Sequence, residues 1–232
     1  MSARSPKQSE RPVTRSLTCA DCAITACGSG TGLGTGGRFP EFCLSTALEP
    51  DARAHALAQY DEAATHRVMT AAAETEYEGY CRWPRVEETV QFARKIGARL
   101  IGIATCVGLI SESRVLARIL RARGFDVIGV GCKIGTVPKH EAGIDPGCEE
   151  VGVNMCNPIL QAETLNRAGT DLNVVMGLCV GHDALFVRHS DAYATTLVTK
   201  DRVTGHNPVA AIHLAGTYYG KLKEDGWDER VK

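Results

Sequence analysis

The chain has 232 residues, of which 44% are hydrophobic and 23% charged, with a formal net charge of −1; this composition suits one sizeable α/β domain plus a smaller appendage. The near-zero charge removes any global electrostatic case for binding nucleic acid or an anionic membrane. No apolar run reaches the roughly 20 residues that span a bilayer and the N-terminus lacks a signal-peptide core, so a cytoplasmic location is expected.

Residues 1–17 are polar and basic, with Arg4, Lys7, Arg11 and Arg15 against Glu10 alone, and are expected to form a disordered tail. Residues 18–50 carry four cysteines, many glycines and little hydrophobic periodicity. Such a segment cannot build its own core; it orders only if something binds its cysteines. From 51 to 232 an α/β domain with a helical lead-in is expected. Asp51, after Pro50, is a candidate N-cap for one or two helices running to about Tyr80. "CRWPRVEETVQFARKIG" then places Pro84 in a first helical turn, Val86, Val90, Ala93 and Ile96 on one face, and Gly97 at the stop.

Alternation follows. "RLIGIAT" is apolar on both faces, as a buried parallel strand would be. Ser111 is a candidate cap for "ESRVLARILRAR", whose Val115, Leu116, Ile119 and Leu120 predict an apolar stripe closed by Gly124. "FDVIGVG" reads as a second strand. "NPILQAETLNRAG" offers Asn157 as N-cap, Pro158 at the first helical position and Gly169 as terminator. "LNVVMGL" reads as a third strand, "HDALFVRHS" as a short helix and "YATTLVTK" as a fourth strand; Asn207–Pro208 repeats the Asn-Pro helix start. Strands alternating with helices imply right-handed crossovers, hence a doubly wound, mainly parallel sheet of at least four strands.

Three of these strands end in a thiol followed by a glycine: Cys106, Cys132 and Cys179. In an open parallel sheet, ligands bind beyond the carboxyl ends of the strands. If the three strands are neighbours, about 4.8 Å apart, the thiols converge on one crevice. Gly108, Gly135 and Gly181 would let the backbone turn there. Cys81, at a helix entrance, and Cys156, before the Asn157–Pro158 helix start, are two further candidates. Any one of these cysteines alone is more often a small buried hydrophobe. A shared site is the better account of three at equivalent positions, because thiolates about 4 Å apart repel by about 4 kcal/mol at an effective dielectric near 20. They stay protonated or pair as disulfides unless a cation holds them. An iron–sulfur cluster (4Fe-4S), which takes cysteines from several loops, is the leading candidate. Zinc held by three cysteines and His182 is the rival.

Cys19, Cys22, Cys27 and Cys43 have the spacing C-x2-C-x4-C-x15-C, a metal-binding sign that does not specify the metal. Cys148 has no partner pattern. His182 and Asp183, directly beyond Cys179, are candidate catalytic groups; an Asp at a helix start equally serves the helix dipole. Arg82, Lys133, Lys200 and Arg202 are candidate substrate-binding cations on the same rim, and His206 a cap or lining group. The expected partners are an electron donor and a small-molecule substrate, with reductive or desulfurising chemistry. A non-enzymatic zinc-binding or metal-handling protein is the alternative. A flavodoxin-like nucleotide-binding module is weakened by the lack of a G-x-G-x-x-G or P-loop string.

Together, "CADCAITAC", "FPEFC", "EGYCRWPRVEE", "MCNPI", "GLCVGHD" and "KDRVTGHNP" resemble a cysteine-rich metal-binding domain-of-unknown-function family of bacteria and archaea, from about Cys19 to Ala215. The resemblance implies metal binding through the cysteines and no established reaction. The N-terminal tail, the Gly-rich insert at 28–37 and Cys148 depart from the family pattern.

Overall fold

A computed structural model describes residues 17–28 and 38–224; the expected tail, apart from Leu17, and residues 29–37 of the Gly-rich insert lie outside them. The chain divides into two compact units, Met1–His66 and Arg67–Lys232.

The first unit is built from short local turns. Two 3-10 turns, Cys19–Asp21 and Ala26–Gly28, precede helix α1 (Ala52–Gln59). Thr18 and Asp21 form a reciprocal capping box on the first turn. Asp51 stands at the N-cap of α1 but makes no side-chain cap bond, because its backbone is already helical. Helix α2 (Ala63–Gly79) crosses the boundary between the units.

The second unit is α/β. Helix α3 (Arg85–Lys95) leads into β1 (Leu100–Thr105), α4 (Ile110–Ala122), β2 (Asp126–Gly131), α5 (Pro158–Ala168), β3 (Leu172–Met176), α6 (His182–His189), β4 (Tyr193–Val198) and α7 (Val209–His213). Among the described residues the strands form one sheet in the order β2-β1-β3-β4, and every pairing is parallel. The expected doubly wound α/β fold is present.

Alternate residues of the central strands feed two cores. Ile101, Ile103, Leu172, Val174 and Met176 pack with Val90 and Ala93 of α3 and Leu116 and Leu120 of α4. Ala104, Val130 and Val175 pack on the other face with Ala162 and Leu165 of α5 and Phe186 of α6. β1 and β3, covered on both faces, are buried almost throughout, as their largely apolar sequences require; the polar residue inside β3, Asn173, is buried with its Nδ2 donating to Ser190 Oγ at 2.8 Å.

Local chemistry explains the boundaries that hold and those that do not. Asn157 Oδ1 accepts the Leu160 N–H at 3.0 Å with Pro158 at the first position, and Gly169 ends α5 at φ 67°. Ser111 does not cap α4: the helix begins at Ile110, and Ser111 Oγ donates to Glu112 instead. The predicted stripe is halved, because Val115 and Ile119 are exposed while Leu116 and Leu120 are buried. The second Asn-Pro start slips: α7 begins at Val209 with Pro208 at the N-cap. Among the described residues no helix is long and apolar enough to cross a membrane.

Candidate metal centre at the strand ends

The order β2-β1-β3-β4 has a topological switch between β1 and β3. The β1-to-β2 crossover runs through α4 on one face, whereas α5 and α6 return on the other. A doubly wound sheet opens its ligand crevice at this point. The register pairs Thr105 of β1 with both Gly131 of β2 and Met176 of β3, so Cys106 and Cys132 leave neighbouring strands at the same level.

Cys106 and Cys132 are both buried. Cys156, from the loop before α5, reaches the same place, with its sulfur 3.7 Å from Cys132 Sγ. The Val107 N–H donates to Cys132 Sγ at 3.4 Å. The Asn157 N–H donates to the Cys132 carbonyl at 2.8 Å, fixing the Cys156 loop against the end of β2. All ten cysteines are free thiols.

Three sulfurs in contact cannot all ionise. Cys132 lies at the centre and stays a thiol, pushed up by its hydrogen bonds to Cys106 and Cys156 and then by burial. Its neighbours move the other way. Cys106 is lowered to about 5, first by the hydrogen bond from Cys132, against burial, then by the Gly108 N–H and the charges of Lys200 and Arg202. Cys156 is likewise lowered to about 5, first by Cys132, against burial, then by Lys133 and His182. One thiol proton flanked by two thiolates, with cations around them, is the arrangement that mutual repulsion dictates in a partly dry crevice.

Cys179 stands apart from this trio. Its sulfur accepts a hydrogen bond from Arg202 Nη2 at 3.2 Å, and its carbonyl accepts the N–H groups of His182 and Asp183 at 2.9 and 3.1 Å, opening α6. Asp183 accepts the N–H of Ala184 and so serves the start of its helix. Lys133 Nζ donates to the Asn154 carbonyl at 2.5 Å. Cys81 and Arg82 follow α2 in exposed positions, with Cys81 in the left-handed region at φ 56°. Among the described residues the Cys81 thiol makes no hydrogen bond, and no group of three or more His, Cys, Asp or Glu stands in finished metal-coordinating geometry.

Sequence reasoning missed two groups that build the crevice. Gln161 is fully buried, and its Nε2 donates to the carbonyls of Val130 at 2.7 Å and Thr105 at 3.2 Å, clamping the two strand ends that carry Cys132 and Cys106. The signal was a lone amide among the apolar residues of "NPILQAETL". Gly177 has φ 70°, and a Cβ there would lie 1.9 Å from Leu109 Cδ1; only glycine fits the turn leading from β3 to Cys179.

In the first unit, Cys19, Cys22, Cys27 and Cys43 all line one cavity of about 170 Å³, together with Phe39, Pro40 and Phe42. The N-terminal four thus share one cavity, whereas of the five crevice candidates Cys106, Cys132 and Cys156 make thiol contacts and Cys179 and Cys81 lie outside them.

These observations define a doubly wound α/β protein with a thiol-lined switch point. Over residues 43–197 the chain matches the family described as protein of unknown function DUF1847, and it belongs to that family. The matched span holds Cys43 and every crevice cysteine, and begins after Cys19, Cys22 and Cys27. The chain is also 40% identical over 171 residues to the uncharacterized protein MJ0455 of Methanocaldococcus jannaschii, covering 72% of this chain and 86% of that protein. No solved structure matches it.

Proposed function

We propose that this is a metal-thiolate protein whose crevice holds an iron–sulfur cluster and whose N-terminal cysteines hold a second centre. The observation that carries the proposal is the contact of Cys106 and Cys132, at adjacent strand ends, with Cys156 from the loop before α5; Cys179, held by Arg202, follows β3. The donor set is soft and anionic, which suits iron or zinc over a hard cation. Lys133, Lys200 and Arg202 would offset the negative charge of the bound thiolates. Arg202 would have to release Cys179 for that sulfur to ligate. With Cys106, Cys132 and Cys156 as ligands, one cluster iron would be left for a small substrate, and the chemistry supplied there would be reductive or desulfurising. His182, at the start of α6 and near Cys156, is the candidate proton donor, with Asp183 orienting that turn. An electron donor would reach the cluster from the open side of the crevice.

A second reading, a non-enzymatic zinc protein, is favoured by the Cys132–Cys156 spacing. Two thiolates on one tetrahedral zinc, with bonds of about 2.3 Å, lie roughly 3.8 Å apart, and these sulfurs are 3.7 Å apart. A cluster is larger than one ion and would require the sulfurs to swing outward.

Anaerobic purification with iron, zinc and acid-labile sulfide quantified per chain separates the readings. Iron and sulfide in equal amounts, with absorbance near 400 nm (roughly, and broad as for clusters generally), is the expected result. Zinc without sulfide selects the second reading, and a metal-free chain defeats both.

A further inference from the structure

The long connection after β2 leaves the sheet at Cys132 and returns at Cys156, just before α5. Its two arms are tied to each other. Pro138 and Asn154 form an antiparallel bridge, and Lys133 Nζ donates to the Asn154 carbonyl at 2.5 Å. The Lys139 N–H donates to the Val153 carbonyl at 3.0 Å, the Met155 N–H to the Val137 carbonyl at 2.9 Å and the Asn157 N–H to the Cys132 carbonyl at 2.8 Å. Cys132 and Cys156 stand at the base of this tied loop, with their sulfurs 3.7 Å apart. Bonds of the chain itself therefore hold the two thiols in contact, and no metal is needed to bring them together.

Cys132 touches two sulfurs, and the fold favours one of them as a bonding partner. Cys106 and Cys132 leave neighbouring parallel strands at the same level and belong to the same core, so their side chains run side by side. A disulfide instead needs side chains that approach each other, with a torsion about the S–S bond near about 90°. The Cys106 N–H is also fixed in the sheet by the Met176 carbonyl at 3.3 Å. Cys156 comes from a loop and can turn toward Cys132 without breaking a ladder bond.

Exposure assigns the order of events. Cys106 and Cys132 are buried, whereas Cys156 is partly exposed, so a molecule arriving from solvent meets Cys156 first. A partly exposed sulfur with a buried sulfur in contact behind it is the arrangement that thiol–disulfide exchange requires: one thiol to attack, one to resolve.

We propose that Cys132 and Cys156 are a redox-active dithiol that reduces low-molecular-weight disulfides, closing as a disulfide across the base of the loop between them. Cys156, as its thiolate, bonds to one sulfur of the external disulfide, whose S–S bond breaks and releases the other half as a thiolate. That thiolate takes the proton of Cys132. The Cys132 sulfur then bonds to Cys156 and displaces the second half as a thiolate. Two protein thiols are oxidised and one external disulfide is reduced to two thiols; an external dithiol reverses both exchanges. This chemistry needs the sulfurs and not the metal. It rests on the metal reading only for one consequence: the closed disulfide withdraws two of three crevice ligands, so bound metal and disulfide exclude each other.

The test is to treat the reduced, metal-stripped full-length chain with oxidised glutathione, quench with acid, alkylate, and map the tryptic peptides by mass. Peptide 124–133, which carries Cys132, should be joined to peptide 140–167, which carries Cys156, with no glutathione retained on either. Because 140–167 also carries Cys148, Cys148→Ser should give the same link. Cys132→Ser removes the resolving sulfur and should leave glutathione trapped on Cys156. Concentrated urea, which separates the two sulfurs, should cut the yield of the link about tenfold or more. Should the variants fail to fold, the wild-type map still decides. Cys132 and Cys156 left free, each left carrying glutathione, or Cys132 joined mainly to Cys106 in peptide 100–114, overturns the proposal. A chain purified without iron, zinc or sulfide that forms the link overturns the cluster reading and leaves the dithiol standing. A metal-bearing chain whose stripped form gives no link does the reverse.

Discussion

The two cysteine clusters hold their sulfurs by different means. In the first unit Cys19, Cys22 and Cys27 sit on isolated turns whose hydrogen bonds span three or four residues, and none of Cys19, Cys22, Cys27 and Cys43 is buried. In the second unit Cys106 and Cys132 extend from parallel strands whose ends are clamped by Gln161, and the sheet beneath them is core. A segment that buries little apolar surface depends on its ligand for order, whereas a crevice on a packed sheet is preformed. If both clusters hold metal as proposed, the first site should lose its structure on metal removal and the second only its ligand.

The largest expected effect is a change in metal occupancy. Cys132→Ser removes the central sulfur and should abolish crevice metal while leaving the N-terminal metal in place, read as iron and zinc per chain. Loss of both centres from this one substitution would show that the clusters are not independent. Chelation sharpens the same contrast: metal-free protein should be cleaved by trypsin at Arg38 within minutes, while the Arg67–Lys232 unit resists.

Gly177→Ala tests how far the crevice depends on its backbone. The left-handed φ and the Leu109 clash together should cost about 3 kcal/mol, lowering Tm by roughly 6–12 °C for a domain of this size. Gln161→Leu should cost about 2 kcal/mol, because two buried carbonyls lose their donor while the unpartnered Gln161 Oε1 is also removed; metal retention should fall with it. The smallest effect is on reactivity. In metal-free protein, Cys156 alkylation by iodoacetamide should stay nearly constant from neutral pH down to about 5 and drop only below it, whereas an ordinary thiol slows from about 8.5. The sign follows from the folded state favouring the thiolate: as pH falls through about 5 it takes up a proton and loses first the hydrogen bond from Cys132 and then its attraction to Lys133. Cys132 should react slowest of the three. A Cys156 profile that falls from pH 8 would break the picture of one proton shared among three sulfurs.

Much of this was legible in the residues. Largely apolar segments marked β1 and β3, Asn157, Pro158 and Gly169 bounded α5, and cysteines directly after Thr105 and Gly131 placed thiols at strand ends. Capping by Ser111 and the exposed half of the α4 stripe were not legible, since the competing partner Glu112 and the solvent-facing side of α4 are decided by packing. Gln161 was hidden because a buried amide and a surface amide look alike until the carbonyls they meet are known. His206 could be singled out as a cap or lining group, but not its hydrogen bonding, which depends on the Asp201 N–H that the turn brings to its Nδ1.

Hydrophobic period, glycine stops and cysteine spacing are local properties, and they alone determined the element types, the parallel architecture and the thiols at the ends of β1 and β2. The strand order β2-β1-β3-β4 belongs to the tertiary structure, and with it came the crevice, the contact of Cys156 with Cys132 and the separation of Cys81. The physical reason is that a crossover fixes which distant strands become neighbours, and only that neighbourhood decides which thiols must share a proton.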